Sequence, residues 1–174
     1  MFLLDTDVLS QTGRSKPHPA VIRWLEDQPA NLILTSTVSI EEIRAGIESV
    51  RLQDADHGAV LERWLARIVA FGQPQILPVT TPAAILFARM RSAPELKHFV
   101  QQDHRSPKPA LGNDLRIAAV AITAGATIAT GNVRHFMAIH ERFALPGLYD
   151  PFTGRWHVRP EEEPEQILPL LRHY

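Results

Sequence analysis

Short, unbroken apolar runs recur along this chain, and helical patterns fill the stretches between them. Phe2-Leu3-Leu4 leads into Asp5, and comparable runs span Asn31 to Thr35, Gln75 to Val79 and Ala126 to Thr130, with a shorter one from Leu145 to Tyr149. A strand with one wet face alternates apolar and polar residues. These do not alternate, so both of their faces are expected to be buried. The intervening segments carry helix signals. Val21, Ile22, Trp24 and Leu25 make an apolar face ending near Gln28. Ser36 or Thr37 can cap a helix in which Val38, Glu42 and Ala45 share one side and Ile40, Ile43 and Ile47 the next stripe. Val60, Leu61, Trp64, Leu65 and Ile68 mark another helix, stopped near Gly72. Thr81-Pro82 opens a helix that Pro94 interrupts. Asp114 to Thr123 is alanine-rich, with Gly125 as its C-cap, and a last helix runs from Val133 to about Arg142. Strands alternating with helices predict an α/β fold: a mainly parallel sheet flanked by helices on both faces.

The 174 residues suit one domain. Residues 1–150 are expected to form it, with the proline-rich, acidic stretch 151–174 as a tail packed on the same domain. The net charge of −1 gives no global field for a polyanion, so such a partner would need a local basic patch or metal ions. Cysteine is absent, which excludes disulfides, thiolate zinc sites and cysteine nucleophiles. No run is long enough to span a membrane, and the first residues lack a signal-peptide pattern, so a cytoplasmic location is expected.

In parallel sheets of this kind, sites form beyond the carboxyl ends of the strands. Asp5 and Asn132 fall there, after the first and fourth strands. Asp5, Glu42 and Asp114 are acids in apolar or helical settings, and a few carboxylates from separate elements are what a hard divalent cation asks for. With such an ion the chemistry would be phosphodiester hydrolysis. Plainer roles stand beside this one: a strand-end aspartate caps helices, an acid in a first turn suits the helix dipole, and Glu42 can be a solvated surface residue. Spacing alone leaves these alternatives open.

Four segments taken together carry a resemblance. Leu3-Leu4-Asp5-Thr6-Asp7-Val8-Leu9-Ser10, Ser39 to Gly46, Asn113-Asp114-Leu115-Arg116-Ile117-Ala118-Ala119 and Ala129-Thr130-Gly131-Asn132-Val133-Arg134-His135-Phe136 occur in order. They resemble the PIN-domain toxins of the VapC and FitB kind, from Met1 to about Asp150. The resemblance implies a parallel sheet flanked by helices and a Mg²⁺- or Mn²⁺-dependent endoribonuclease. It also implies an RNA substrate, a cognate antitoxin whose C-terminal segment blocks the site, a toxin homodimer and a toxin–antitoxin hetero-oligomer. Asp5, Glu42 and Asp114 match the family's first three acids, with Glu42 preferred over Glu41. Asn132 stands where many relatives carry a fourth acid and adds no negative charge. Thr6 and Thr130 are expected to support the site by hydrogen bonding.

Arg14, Lys16, Arg105, Lys108, Arg116 and Arg134 are candidates for holding an RNA backbone. His135 lies near the site but is not a family acid position. Trp24, Trp64 and Trp156 are expected in the core or an interface. The helices over residues 36–52 and 57–71 carry more apolar side chains than one sheet face needs, so part of that surface is expected to grip a partner. Two rivals complete the expectations. Asp5 and Asp7 also resemble the paired aspartates of haloacid-dehalogenase-like phosphatases, and the fold could be a non-catalytic RNA-binding module.

Overall fold

The computed structural model describes residues 1–72, 74–100 and 112–161. The expected loop from Asp103 to Pro109, with Arg105 and Lys108, and residues 162–174 of the expected tail lie outside the described residues. The strands are β1 (Phe2–Leu4), β2 (Ile33–Ser36), β3 (Gln75–Leu77), β4 (Thr127–Ala129), β5 (Leu148–Asp150) and β6 (Arg155–Val158). The helices are α1 (Thr6–Leu9), α2 (Pro19–Glu26), α3 (Thr37–Arg51), α4 (Ala55–Phe71), α5 (Thr81–Ser92), α6 (Asn113–Ala124) and α7 (Val133–His140).

The described strands form one sheet in the order β3-β2-β1-β4-β5-β6. Its first five are mutually parallel, and β6 runs antiparallel to β5. In register, Leu3 lies between Leu34 of β2 and Ile128 of β4. Successive side chains of β1 point to opposite faces, which explains why its apolar run is unbroken. Leu3, Leu34, Ile128 and Leu148 pack against Met90, Leu115, Ile117, Phe136 and Ile139 of α5, α6 and α7. Leu4, Ile33 and Ala129 pack on the other face against Val8, Val21, Ile43, Ile47, Leu65 and Ile68 of α1 to α4.

Local signals act as their chemistry requires. Ser36 caps α3, accepting the Ser39 N–H at 3.1 Å. Gly125 closes α6 in the left-handed region at φ 63°, where a Cβ would be strained. The cap of α5 is Thr80, not Thr81: its hydroxyl accepts the Ala83 N–H at 3.4 Å, which puts Thr81 and Pro82 inside the first turn. β5 begins at Leu148 rather than Leu145, and Arg155–Val158 is a strand the sequence did not announce. No helix among the described residues is long and apolar enough to cross a membrane.

The strand order reverses direction between β1 and β4, so the chain leaves the sheet there on opposite faces. Brought to this switch point are Asp5, which follows β1, and Thr130 to Asn132, which follow β4.

Candidate active site

Asp5 is where β1 ends and α1 begins. Its backbone N–H continues the ladder to the Ala129 carbonyl at 3.0 Å, which seats it against the end of β4. Only 5% of the residue is exposed. Its Oδ1 accepts the Thr6 N–H at 2.7 Å and caps α1, while Oδ2 accepts the Thr130 hydroxyl at 2.7 Å. The cap of α1 and a bond across the carboxyl edge to β4's end therefore coexist in one side chain. Burial, followed by the charge of Asp7 and more weakly that of Asp114, pushes the Asp5 carboxyl well above the usual aspartate range, against the pull of the Thr130 and Thr6 bonds.

Thr6 links the first acid to the second, because its hydroxyl donates to Glu42 Oε2. Asn113, the first residue of α6, donates its amide to Glu42 Oε1 at 2.9 Å. Glu42 thus faces the sheet edge from α3. Glu41, about 100° further round the helix, is exposed and pairs with Arg116 at 2.9 Å. Arg116 also donates to Asn113 Oδ1 at 3.1 Å, so this cation braces α6 against α3.

Asp114, next on α6, accepts from the Asn132 amide at 3.1 Å and contacts His135 Nδ1 at 2.7 Å, both through Oδ2. Asn132 opens α7 without a side-chain cap bond; its amide is directed at Asp114 instead. The Asn132 N–H donates to Thr130 Oγ1 at 2.9 Å, closing the circuit to Asp5. Asp5, Thr6, Glu42, Asn113, Asp114, Asn132 and Thr130 are therefore one connected network at the carboxyl edge.

Two members escaped the sequence argument for this site. Asp7 Oδ2 accepts the Gly131 N–H at 2.8 Å, a close approach that a side chain on residue 131 would crowd, since a Cβ there would sit 3.0 Å from that oxygen. Asp7 Oδ1 is buried and has no hydrogen-bond partner among the described residues. Burial, with smaller contributions from Asp150 and Asp114, raises the Asp7 carboxyl above its ordinary range. The Asp-Thr-Asp spacing was its only signal. The other is His135, whose part is set by packing of α7 on α6 and carries no local signature.

Two depressions meet at Glu42. A cleft of about 330 Å³ is lined by Glu42, His98, Phe99, Gly112, Asn113, Asp114 and His135. A longer groove of about 680 Å³ runs between α3 and α4, floored by Ile43, Ile47, Leu61 and Trp64 and rimmed by Arg14 and Lys16. Arg14 and Lys16 are exposed there, and Arg134 is exposed on α7. Trp24, Trp64 and Trp156 are half-buried: Trp64 in the groove, and Trp24 and Trp156 in an aromatic cluster with Phe2 and Tyr149.

The carboxylates supply the oxygen donors that hard divalent cations take. Asp5, Asp7 and Asp114 gather like charge where burial makes it costly, and the unpartnered Asp7 oxygen adds to that cost. Among the described residues no group of three or more His, Asp or Glu side chains is gathered closely enough to hold a metal ion by itself. An open carboxylate edge is the arrangement Mg²⁺ accepts, since it usually keeps several waters and takes one or two carboxylates together with substrate phosphates.

Fold and edge together define an α/β domain with an acidic site at its topological switch point. The model of the PIN domain family matches residues 2–139, and the chain belongs to that family. It is similar to Toxin FitB of Neisseria gonorrhoeae, with 29% identity over 138 residues covering 79% of this chain and 92% of the relative. A shorter match, 27% over 78 residues, covers 41% of this chain and 56% of VapC ribonuclease Y4jK of Sinorhizobium fredii. Among solved structures, FitAB bound to an IR36 DNA fragment superposes with a TM-score of 0.65 at 27% identity, over 87% of this chain and 96% of the other. The phosphatase alternative falls with this assignment.

Proposed function

We propose that this protein is a divalent-metal-dependent endoribonuclease acting as the toxin of a bacterial toxin–antitoxin pair. The observation that carries the proposal is the network joining Asp5, Glu42 and Asp114 through Thr6, Asn113, Thr130 and Asn132 at the switch point of a PIN domain. The toxin part of the reading draws support from the relatives: one is named a toxin, another a VapC ribonuclease, and the FitAB structure superposes over most of both chains.

Asp5, Glu42 and Asp114 would hold Mg²⁺ or Mn²⁺. Bound there, the ion would supply an activated water and neutralise charge on the phosphate and the leaving oxygen. The chain's own residues do the rest. Thr6 and Thr130 fix the two oxygens of Asp5, and Asn113 fixes Glu42, so the carboxylates are set before substrate arrives. The cleft between Glu42, Asp114 and His135 admits a phosphodiester, while Arg14, Lys16 and Arg134 hold flanking phosphates at exposed positions. Arg116 serves by bracing Asn113 rather than by touching RNA. Residues 1–150, with β6 after them in the same sheet, form the nuclease domain, and the protein works in the cytoplasm.

The groove between α3 and α4 would receive the antitoxin: its apolar floor suits aliphatic side chains and it ends at Glu42, so an occupant also obstructs the site. A homodimer and a toxin–antitoxin hetero-oligomer complete the proposal. The test is cleavage of a labelled RNA by the purified protein with Mn²⁺, with chelator, and with the co-expressed product of the adjacent gene. Metal-dependent cleavage suppressed by that product is expected. RNA left intact under all three conditions would contradict the proposal.

A further inference from the structure

Asp114 Oδ2 receives two contacts from one turn of α7, Asn132 Nδ2 at 3.1 Å and His135 Nδ1 at 2.7 Å. A carboxylate oxygen only accepts, so at 2.7 Å the Nδ1 atom must carry the hydrogen. The 3.0 Å approach of Asn132 Nδ2 to the same nitrogen is then a contact between two donors that share one acceptor. The ring also meets Phe99 edge to face, with centroids 5.4 Å apart. Among the described residues both Asp114 contacts fall on Oδ2, which leaves Oδ1 as the oxygen available to a cation.

We propose that His135 is a positioning residue for Asp114: with Asn132 it clamps Oδ2 so that Oδ1 is presented to the divalent cation. The inference rests on the metal-dependent reading above. It also gives Asn132 a role. An acid at the start of α7 would add a ligand and a negative charge, whereas Asn132 and His135 add neither and supply donors that fix an acid already present. Asn132, just before α7, and His135, three residues on, both meet Asp114 of α6. The site thus has fewer charges and a more rigid third acid. A plainer role, a half-exposed surface histidine, would explain the contact but not why both donors converge on one oxygen.

Titration calorimetry of the intact protein with Mn²⁺ alone tests this, comparing wild type, His135→Ala, His135→Asn and His135→Gln. Removing an outer partner of a ligand commonly lowers metal affinity about 10- to 100-fold, and that loss is expected for His135→Ala. Asparagine places an amide near the Nδ1 position and is expected to recover most of the affinity; glutamine, reaching towards Nε2, is not. The thermal midpoint without metal, measured on the same samples, reports folding separately. Equal Mn²⁺ affinity in wild type and His135→Ala would overturn this inference alone, as would rescue by glutamine and not asparagine. A wild type that binds no Mn²⁺ would overturn the metal-dependent reading, and this inference with it.

Discussion

The Thr130 hydroxyl donates to Asp5 Oδ2 at 2.7 Å across the ends of two adjacent parallel strands, and Thr130 Oγ1 itself accepts the Asn132 N–H at 2.9 Å. Thr130 is fully buried. Thr130→Val keeps the shape and strands both partners, and each unpaired buried group costs about 1–3 kcal/mol. A clear loss of stability in urea unfolding is expected for Thr130→Val. Thr130→Ser, which keeps the hydroxyl, should lose much less.

Burial and mutual charge hold the Asp5 and Asp7 carboxyls above their unfolded values. The folded state therefore binds more protons than the unfolded one between the ordinary aspartate range and the raised values, so these groups make stability fall as pH rises through that window. In metal-free protein the thermal midpoint of wild type should drop relative to Asp5→Asn as pH is raised from the carboxylate range to neutrality. Asp5→Asn should be the more stable at neutral pH, and Mn²⁺ should narrow the gap. Parallel pH profiles for the two proteins would contradict this.

Asp7 has two separable functions, a hydrogen bond to the Gly131 N–H and a charge beside Asp5. Asp7→Asn keeps an acceptor and drops the charge, whereas Asp7→Ala drops both. Asp7→Asn is expected to hold wild-type stability or exceed it while weakening Mn²⁺ affinity, and Asp7→Ala to lose stability as well. Chemical unfolding combined with metal titration separates the two effects.

Arg14 and Lys16 stand on the rim of the groove that meets the site at Glu42. If they hold phosphates, replacing both with alanine weakens RNA binding evenly across sequences. The slope of log affinity against log salt should also fall, by about 0.7 for each single-strand phosphate that is no longer neutralised. An unchanged slope, measured by fluorescence anisotropy, would place RNA elsewhere.

How much of this was visible beforehand follows from where each signal resides. The strands Phe2–Leu4, Ile33–Ser36 and Thr127–Ala129 were legible because a parallel sheet buries both faces and leaves an unbroken apolar run. Arg155–Val158 was not, since an edge strand needs only partial burial and Arg-Trp-His-Val carries no apolar run. Asp5, Glu42 and Asp114 stood out through local motifs. The bonds that orient them did not, because Thr6 to Glu42 and Thr130 to Asp5 join residues far apart in sequence. Asn132 stood out as a strand-end residue at the family's fourth acid position, and only the packing of α7 on α6 turns its amide to Asp114.

The proposed mechanism depends on Asp5 and Asp114 acting through a bound cation. Asp5 accepts from Thr6 and Thr130, and Asp114 from Asn132 and His135, so asparagine at either position keeps the size and one accepting oxygen while removing the charge. The decisive measurement is RNA cleavage by Asp5→Asn and Asp114→Asn at saturating Mn²⁺, with circular dichroism to confirm the fold. Folded proteins whose cleavage is abolished are the predicted result. Near wild-type turnover by either variant would contradict the mechanism.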